Sequence, residues 1–280
     1  MMKVLRFIIT GWFVATMSLA TTARAEQVTF KLAVVPQFAA TQVNHDWTPL
    51  LAALEQATGY HLQLTLYEQV QQFESELLQG VPDFVYLNPY HMVMANEAQG
   101  YRPLLRDSDN LSGILVVRRD GPIKSLADLA NATVAFPSPN ALGASLYLRA
   151  LLAETEKITV KPDYVGNHQT VYRQVLRGDA AAGGGVLRTL NKEPDAVREQ
   201  LSILYSTPDV ASHPFAAHPR VANEVVQKIT DALLALGNDA TGRKLLEAVL
   251  MPKPVRADYQ RDYAQLGKLK LERYAVNPPR

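Results

Sequence analysis

The sequence predicts an α/β protein, with parallel sheets carrying helices on both faces. Three observations lead there. Short apolar runs alternate along the chain with stretches of helical period. Glycines close several of the helical stretches, at Gly59, Gly80, Gly178 and Gly237. The chain has 280 residues, 48% of them hydrophobic and 20% charged, an ordinary globular balance in a chain long enough to bury its own core. At roughly 150 residues per domain the length suggests two domains or one large one.

Residues 1–25 read as a secretory signal peptide. Lys3 and Arg6 precede an apolar run over 7–20, and Ala23-Arg24-Ala25 is a small-residue cleavage triplet. The run falls short of the roughly 20 residues that a bilayer span needs. Cleavage after Ala25 would start the mature chain at Glu26. It would also remove three basic residues, taking 28 Lys and Arg to 25 against 27 Asp and Glu, and the net charge from +1 to −2.

The first strand is expected over 29–36, ending at Pro36. Asp46 can cap the next helix, where Trp47, Leu50, Leu51 and Leu54 share one face. Leu62, Leu64 and Leu66 alternate in a strand over 61–67. A helix over 70–78 and a strand over 83–87 follow. Beyond these the pattern predicts a strand over 113–117, a short helix near Ser125 and a strand over 133–136. A helix over 143–153, a strand over 159–165 and a helix over 171–176 come next. A strand begins at Ala180, and another covers 201–205. From Val221 onward the period is helical, and the tail from Pro252 is polar and bears tyrosines.

Several function classes drop out. With no cysteine, thiolate metal sites, disulfides, Cys nucleophiles and iron–sulfur clusters are excluded. The charge balance shows no basic stripe for nucleic acid. A lipid anchor would need a Cys after the signal peptide, so the mature protein is expected to be exported, soluble and not membrane-inserted, in a periplasm. His213 and His218 lie five apart among prolines and do not share a helical face, so no metal is expected, and no cofactor. No G-x-S-x-G turn accompanies Ser138, so no enzymatic activity is expected.

In such folds ligands bind beyond the carboxyl ends of strands. Five segments stand there: Pro36-Gln37, Asn88-Pro89-Tyr90-His91, Ser138-Pro139-Asn140, Asn167-His168-Gln169 and Gly183-Gly184-Gly185. The third leads from a strand into a helix whose free N–H groups suit an anion. Ser138 or Asn140 there is a helix cap, alone or with ligand contact. The candidate binding residues are Gln37, Asn88, Tyr90, Ser138, Asn140, His168 and Tyr172. Most are neutral donors, and His168 could add a charge switchable near neutral pH. The triple glycine makes either a tight turn or a close backbone approach.

VVRRDGPIKSLADLANATVAF, LNPYHMV and VYRQVLRGDAAAG occur in that order. In these runs the chain resembles the PhnD-like substrate-binding proteins of phosphate, phosphite and phosphonate ABC transporters. The resemblance implies a type II periplasmic-binding-protein fold, two α/β lobes with a hinge crossed twice, near 115–118 and 206–209. Lobe 1 would comprise 26–116 and 207–280, and lobe 2 would comprise 117–206. A small anion would be captured in the cleft and handed to an inner-membrane ABC permease by a monomer. NPY, FPSPNALGASL, the triple glycine and HPFAAHPRV resemble more closely a sensor-associated subset, which implies instead a separate membrane sensor as partner. The chain departs from the phosphonate binders at their Ser-Thr-Ser-Gly run, where it has Asn140-Ala141-Leu142-Gly143-Ala144. It also lacks their carboxylate near Gly185–Leu187.

Overall fold

The structure, a computed structural model, describes residues 28–276. The expected signal peptide at 1–25 lies outside the described residues. Eleven strands are described: β1 (Thr29–Val34), β2 (His61–Thr65), β3 (Phe84–Tyr86), β4 (Arg102–Asp107), β5 (Gly113–Arg118), β6 (Thr133–Phe136), β7 (Lys161–Tyr164), β8 (Ala182–Val186), β9 (Leu201–Ser206), β10 (Pro214–Ala217) and β11 (Pro254–Arg256). They form two sheets, ordered β11-β4-β10-β3-β1-β2 and β7-β6-β8-β5-β9.

The α/β class is as the alternation predicts, but the sheets are mixed rather than parallel. β1 pairs in parallel with β2 and β3, and β6 with β7 and β8. β10 runs antiparallel to β3 and β4, and β5 antiparallel to β8 and β9. The reversal has a topological cause. β5 and β10 are the strands by which the chain enters each sheet from the other, so no helical crossover sets their direction.

The expected lobe boundary at 116/117 falls inside β5, whose ladder partners all lie in the second sheet. The chain passes between sheets at 107–113 and again at 206–214. There Leu111 and Val210 exchange two backbone hydrogen bonds of 2.8 and 3.0 Å.

Alternation in β1 and β3 builds two cores on the first sheet. Leu32, Val34, Phe84 and Tyr86 face α1 (Ala40–Thr58) through Trp47, Leu50 and Leu54. They also face α8 (Asn223–Leu236) and α9 (Ala240–Ala248) through Ile229, Leu233 and Leu246. On the opposite face Ala33, Val35 and Val85 meet Phe73 of α2 (Val70–Leu78), Met92 of α3 (Pro89–Gln99) and Tyr263 of the tail. Each such large side chain contributes about 1.5–3 kcal/mol by leaving water. Leu142 and Leu146, from the second sheet's side, join this cluster, so apolar packing also joins the two halves.

α1 starts at Ala40, so Asp46 lies inside the helix and is not its cap. Its side chain accepts from Gln42 Nε2 at 2.8 Å and pairs with Lys192. β4, β10 and β11 have no counterpart in the sequence reading. Pro103, Pro214 and Pro254 lie in them, and they are too short or too charged to alternate clearly.

Candidate functional site

Three chain segments meet between the sheets, each the amino end of a helix. Asn88 caps α3, its Oδ1 accepting from the N–H groups of Tyr90 and His91 at 2.9 Å each, with Pro89 as the first helical residue. Asn167 caps α5 (His168–Arg177), its Oδ1 accepting from the Thr170 N–H at 2.9 Å. The third segment follows β6. Residues 137–141 lead into a π-helical turn, Leu142–Leu146, which continues as α4 (Tyr147–Glu154).

The triple glycine explains how the third segment comes so near. Gly183, Gly184 and Gly185 are not a turn; they are the middle of β8. A methyl at Gly184 would collide with the Ala144 carbonyl oxygen and lie 2.5 Å from the Phe136 ring. One at Gly185 would strike the Tyr172 hydroxyl, and one at Gly183 would sit 2.5 Å from Val171 Cγ1. These glycines let α5 and the π turn settle against the sheet.

The cavity that these ends surround is small, about 20 Å³. A single water needs about 10–15 Å³ on the same measure. Its walls include Val35, Pro36, Gln37, Asn88, His91, Ser138, residues 141–144, His168, Val186 and His213. They include no Lys, Arg, Asp or Glu. Positive potential therefore comes from helix amino ends, each carrying about half an elementary charge.

His168 and His213 do not supply charge either. Burial pushes His168 down to about 3, so it is neutral near pH 7, contrary to the switchable charge expected from the sequence. Burial, then the charge of Arg188, push His213 well below its usual value. His213 stacks on Tyr86, with ring centroids 5.7 Å apart.

Two buried polar atoms of the cavity walls have no partner among the described residues, Ser138 Oγ and His91 Nδ1. The other ring nitrogen of His91 lies 2.8 Å from Glu74 Oε1, with both residues almost fully buried. Unsatisfied buried groups are uncommon and costly, so they point to something the cavity is built to receive.

Of the sequence-predicted residues, Gln37, Asn88, Ser138 and His168 come together on the cavity walls. Asn140, Tyr90 and Tyr172 do not. The Asn140 side chain instead holds the tail, donating to Val276 O at 2.7 Å and accepting from Val276 N at 2.9 Å. Tyr90 is half-buried against the apolar cluster that includes the tail. Tyr172 is fully buried behind Gly185, its hydroxyl 2.8 Å from Thr189 Oγ1.

The sequence reading missed His91 and His213 as wall residues. For His91 the signal was its place three residues after the Asn88 cap. His213 immediately precedes a strand that the pattern did not show.

Interlobe bonds surround the cavity. The His168 N–H donates to Gln37 O at 3.2 Å, and Asn88 Nδ2 to Asn140 O at 3.1 Å. Arg188 donates to Asp107 Oδ1 at 2.8 Å and to Leu250 O at 2.9 Å, and so spans the hinge rather than reaching the cavity.

Two sheets joined by a paired hinge, closing on a cavity ringed by helix amino ends, define a bilobal solute-binding protein. The chain belongs to the family described as "ABC transporter, phosphonate, periplasmic substrate-binding protein", whose model matches residues 32–263. Its members are binding proteins rather than enzymes. Over 232 residues the chain is 23% identical to the phosphate-import protein PhnD of Mycolicibacterium smegmatis, a match covering 75% of this chain and 72% of that one. Two solved structures share the type II fold. One is a binding protein component of an ABC phosphonate transporter from Pseudomonas aeruginosa, with TM-score 0.79, 14% identity and 89% and 88% of the two chains covered. The other is PhnD1 of Prochlorococcus marinus in complex with methylphosphonate, with TM-score 0.80, 13% identity and 90% and 100% covered. Among the described residues no helix is long and apolar enough to cross a membrane.

Proposed function

We propose that this chain captures a small tetrahedral oxyanion of the phosphonate–phosphate class and delivers it to an inner-membrane ABC permease. The observation that carries the reading is the convergence of three helix amino ends on one small cavity without a charged side chain. The π turn offers the N–H groups of 142–144, while Asn88 and Asn167 already accept from first-turn N–H groups of α3 and α5; those two ends contribute their partial charge, and the set suits an anion. Gln37, Asn88, Ser138, His168 and His213, with the backbone of 141–144, form the contact set. At about 20 Å³ the cavity has room for one or two waters, so a compact tetrahedral ion enters only as the walls part slightly, and a nucleotide or an extended aminoalkyl phosphonate needs far more room. The absence of a carboxylate in the walls fits a ligand without an ammonium group.

The two sheets act as lobes that swing about 107–113 and 206–214. Export requires removal of the segment ending at Ala25, which amino-terminal sequencing of the secreted protein tests. Binding is tested by calorimetry with methylphosphonate, phosphite, phosphate, sulfate and a neutral sugar. One of the first three is expected to bind. Heat from the sugar alone would overturn the reading.

A further inference from the structure

His168 sits at the first position of α5, and its ring nitrogens have different surroundings. Nδ1 lies 3.1 Å from Thr189 Oγ1. No protein atom bonds Nε2 among the described residues, and the residue forms part of the cavity wall. The proton on Nδ1 follows from the neighbours of Thr189. Its hydroxyl has one hydrogen, and the Val186 carbonyl, which can only accept, lies 2.9 Å away. The Tyr172 hydroxyl, 2.8 Å from Thr189 Oγ1, then donates to it. Both lone pairs of Thr189 are used if His168 Nδ1–H donates as well. The other tautomer turns the Thr189 hydrogen towards Nδ1 and leaves its oxygen 2.9 Å from the Val186 carbonyl oxygen with no hydrogen between them. The short bonds thus select the Nδ1–H tautomer, and Nε2 is left with a bare lone pair.

Resting on the oxyanion reading above, we propose that the site takes its ligand as a monoanion that still bears a hydroxyl, which donates to His168 Nε2. His168 is then the residue that discriminates against tetrahedral oxyanions with no proton to give, such as sulfate. A bare lone pair facing an ionised oxygen repels it, while one facing P–O–H bonds it.

The surroundings keep this acceptor in place. Burial holds His168 neutral down to about 3. From the same helix Tyr172 faces it through Thr189, with a phenol that burial pushes up. Glu193, paired with Arg173 at 3.0 Å, acts on Tyr172. His213 and His91 approach from the first sheet's side, His91 beside Glu74 and His213 under the field of Arg188. Arg188 is itself bound to Asp107. None of these supplies His168 with a carboxylate that would favour a second ring proton.

Calorimetry of the full mature chain with methylphosphonate tests this, across pH values that bracket its second ionisation and in two buffers of different protonation enthalpy. Above that ionisation the affinity should fall about tenfold per pH unit, with about one proton taken up per ligand bound. Sulfate should bind about 100-fold more weakly or worse. His168→Gln, whose amide can turn to donate, should flatten the pH slope. Affinity that stays level or rises through the second ionisation, without proton uptake, overturns the proposal and leaves anion capture standing. So does sulfate binding as tightly as methylphosphonate. No binding of methylphosphonate, phosphite, phosphate or sulfate at any pH overturns the function itself. Should His168→Gln fail to fold, nitrogen-15 spectra of the wild-type imidazole decide the tautomer. A proton on Nδ1 supports the proposal, and a proton on Nε2 refutes it.

Discussion

Replacing Ser138 by alanine separates a binding role from a packing role. Ser138 is 2% exposed, and its hydroxyl has no protein partner. A buried hydroxyl left unsatisfied costs about 1–3 kcal/mol. Removing it should leave the ligand-free protein as stable as wild type or about 1 kcal/mol more so, which in a chain of this size is a rise in Tm of about 2–4 °C. The ligand complex should move the other way. A hydrogen bond to a charged oxygen is worth about 1.5–3 kcal/mol, so the Kd for methylphosphonate or phosphate should rise about 10- to 100-fold. The assay is a pair of melting curves, with and without ligand, and a calorimetric titration. Wild type gains about 2.7 kcal/mol at a hundred times its Kd, and the variant should gain about 1.3–2.3 kcal/mol less at the same concentration. A ligand-free variant destabilised by more than about 1 kcal/mol would mean that Ser138 is structural. Unchanged affinity would remove Ser138 from the contact set.

Three further outcomes follow from the same geometry. Gly184→Ala drives a methyl into the Ala144 carbonyl, so it should cost about 1–3 kcal/mol in urea unfolding and weaken ligand binding. Gly267→Ala, with open space around it, should stay within about 0.5 kcal/mol of wild type; equal effects of the two would refute the close-approach reading. Asn140→Ala strips both bonds from Val276, so it should cost about 1–2 kcal/mol and speed hydrogen exchange in the tail after 264 before it changes affinity. Exchange unchanged in that segment would refute the tail clamp. Burial raises Asp262, but hydrogen bonds from Arg261, the Asp258 N–H and Arg106 outweigh it and hold the carboxyl at about 2. Its folded value is depressed, so its contribution of roughly 2 kcal/mol is present above pH 4 and lost as pH falls towards 2. Asp262→Asn should flatten unfolding free energy against pH in that window, and an unaltered acid slope would refute the assignment.

How legible the molecule was depends on what each residue contacts. Helix α2 was readable to its ends because Val70, Phe73, Glu74 and Leu77 bury one face at helical period, and strand β6 because its short apolar run stops at Pro137. β10 was not. Its four residues are buried on both faces by elements far away in sequence, which leaves no alternation to see. The site divides in the same way. Asn88 and His168 were readable because a cap or a first helical residue after a strand is a local signal. Tyr172 and Asn140 lie in the right segments but turn elsewhere, one behind Gly185 and one onto the tail, and only tertiary packing sets those directions. The triple glycine gave its position without its reason. Whether it bent or admitted a neighbour depended on where Tyr172 and Ala144 came to lie.

A chain with no Lys, Arg, Asp or Glu among the described residues of its cavity walls and a net charge of only +1 has to attract an anion by short-range means. The field of a helix end fades within about one turn, and charges farther apart than about 8 Å are screened in physiological salt. In the proposed site encounter is therefore not steered from a distance, and capture waits on the amino ends of α3, the π turn and α5 being brought together. Two further glycines in that geometry, Gly143 and Gly113, matter for this reason. A methyl on Gly113 would strike the Gly143 carbonyl, so the start of β5, next to the hinge, and the start of the π turn can meet only without side chains. Strand β5 and the π turn both belong to the second sheet's half, so this contact fixes the π turn against the strand that leads out of the hinge. In the proposed site the amino end of α3 comes from the other half, which ties tight binding to closure rather than to either lobe alone.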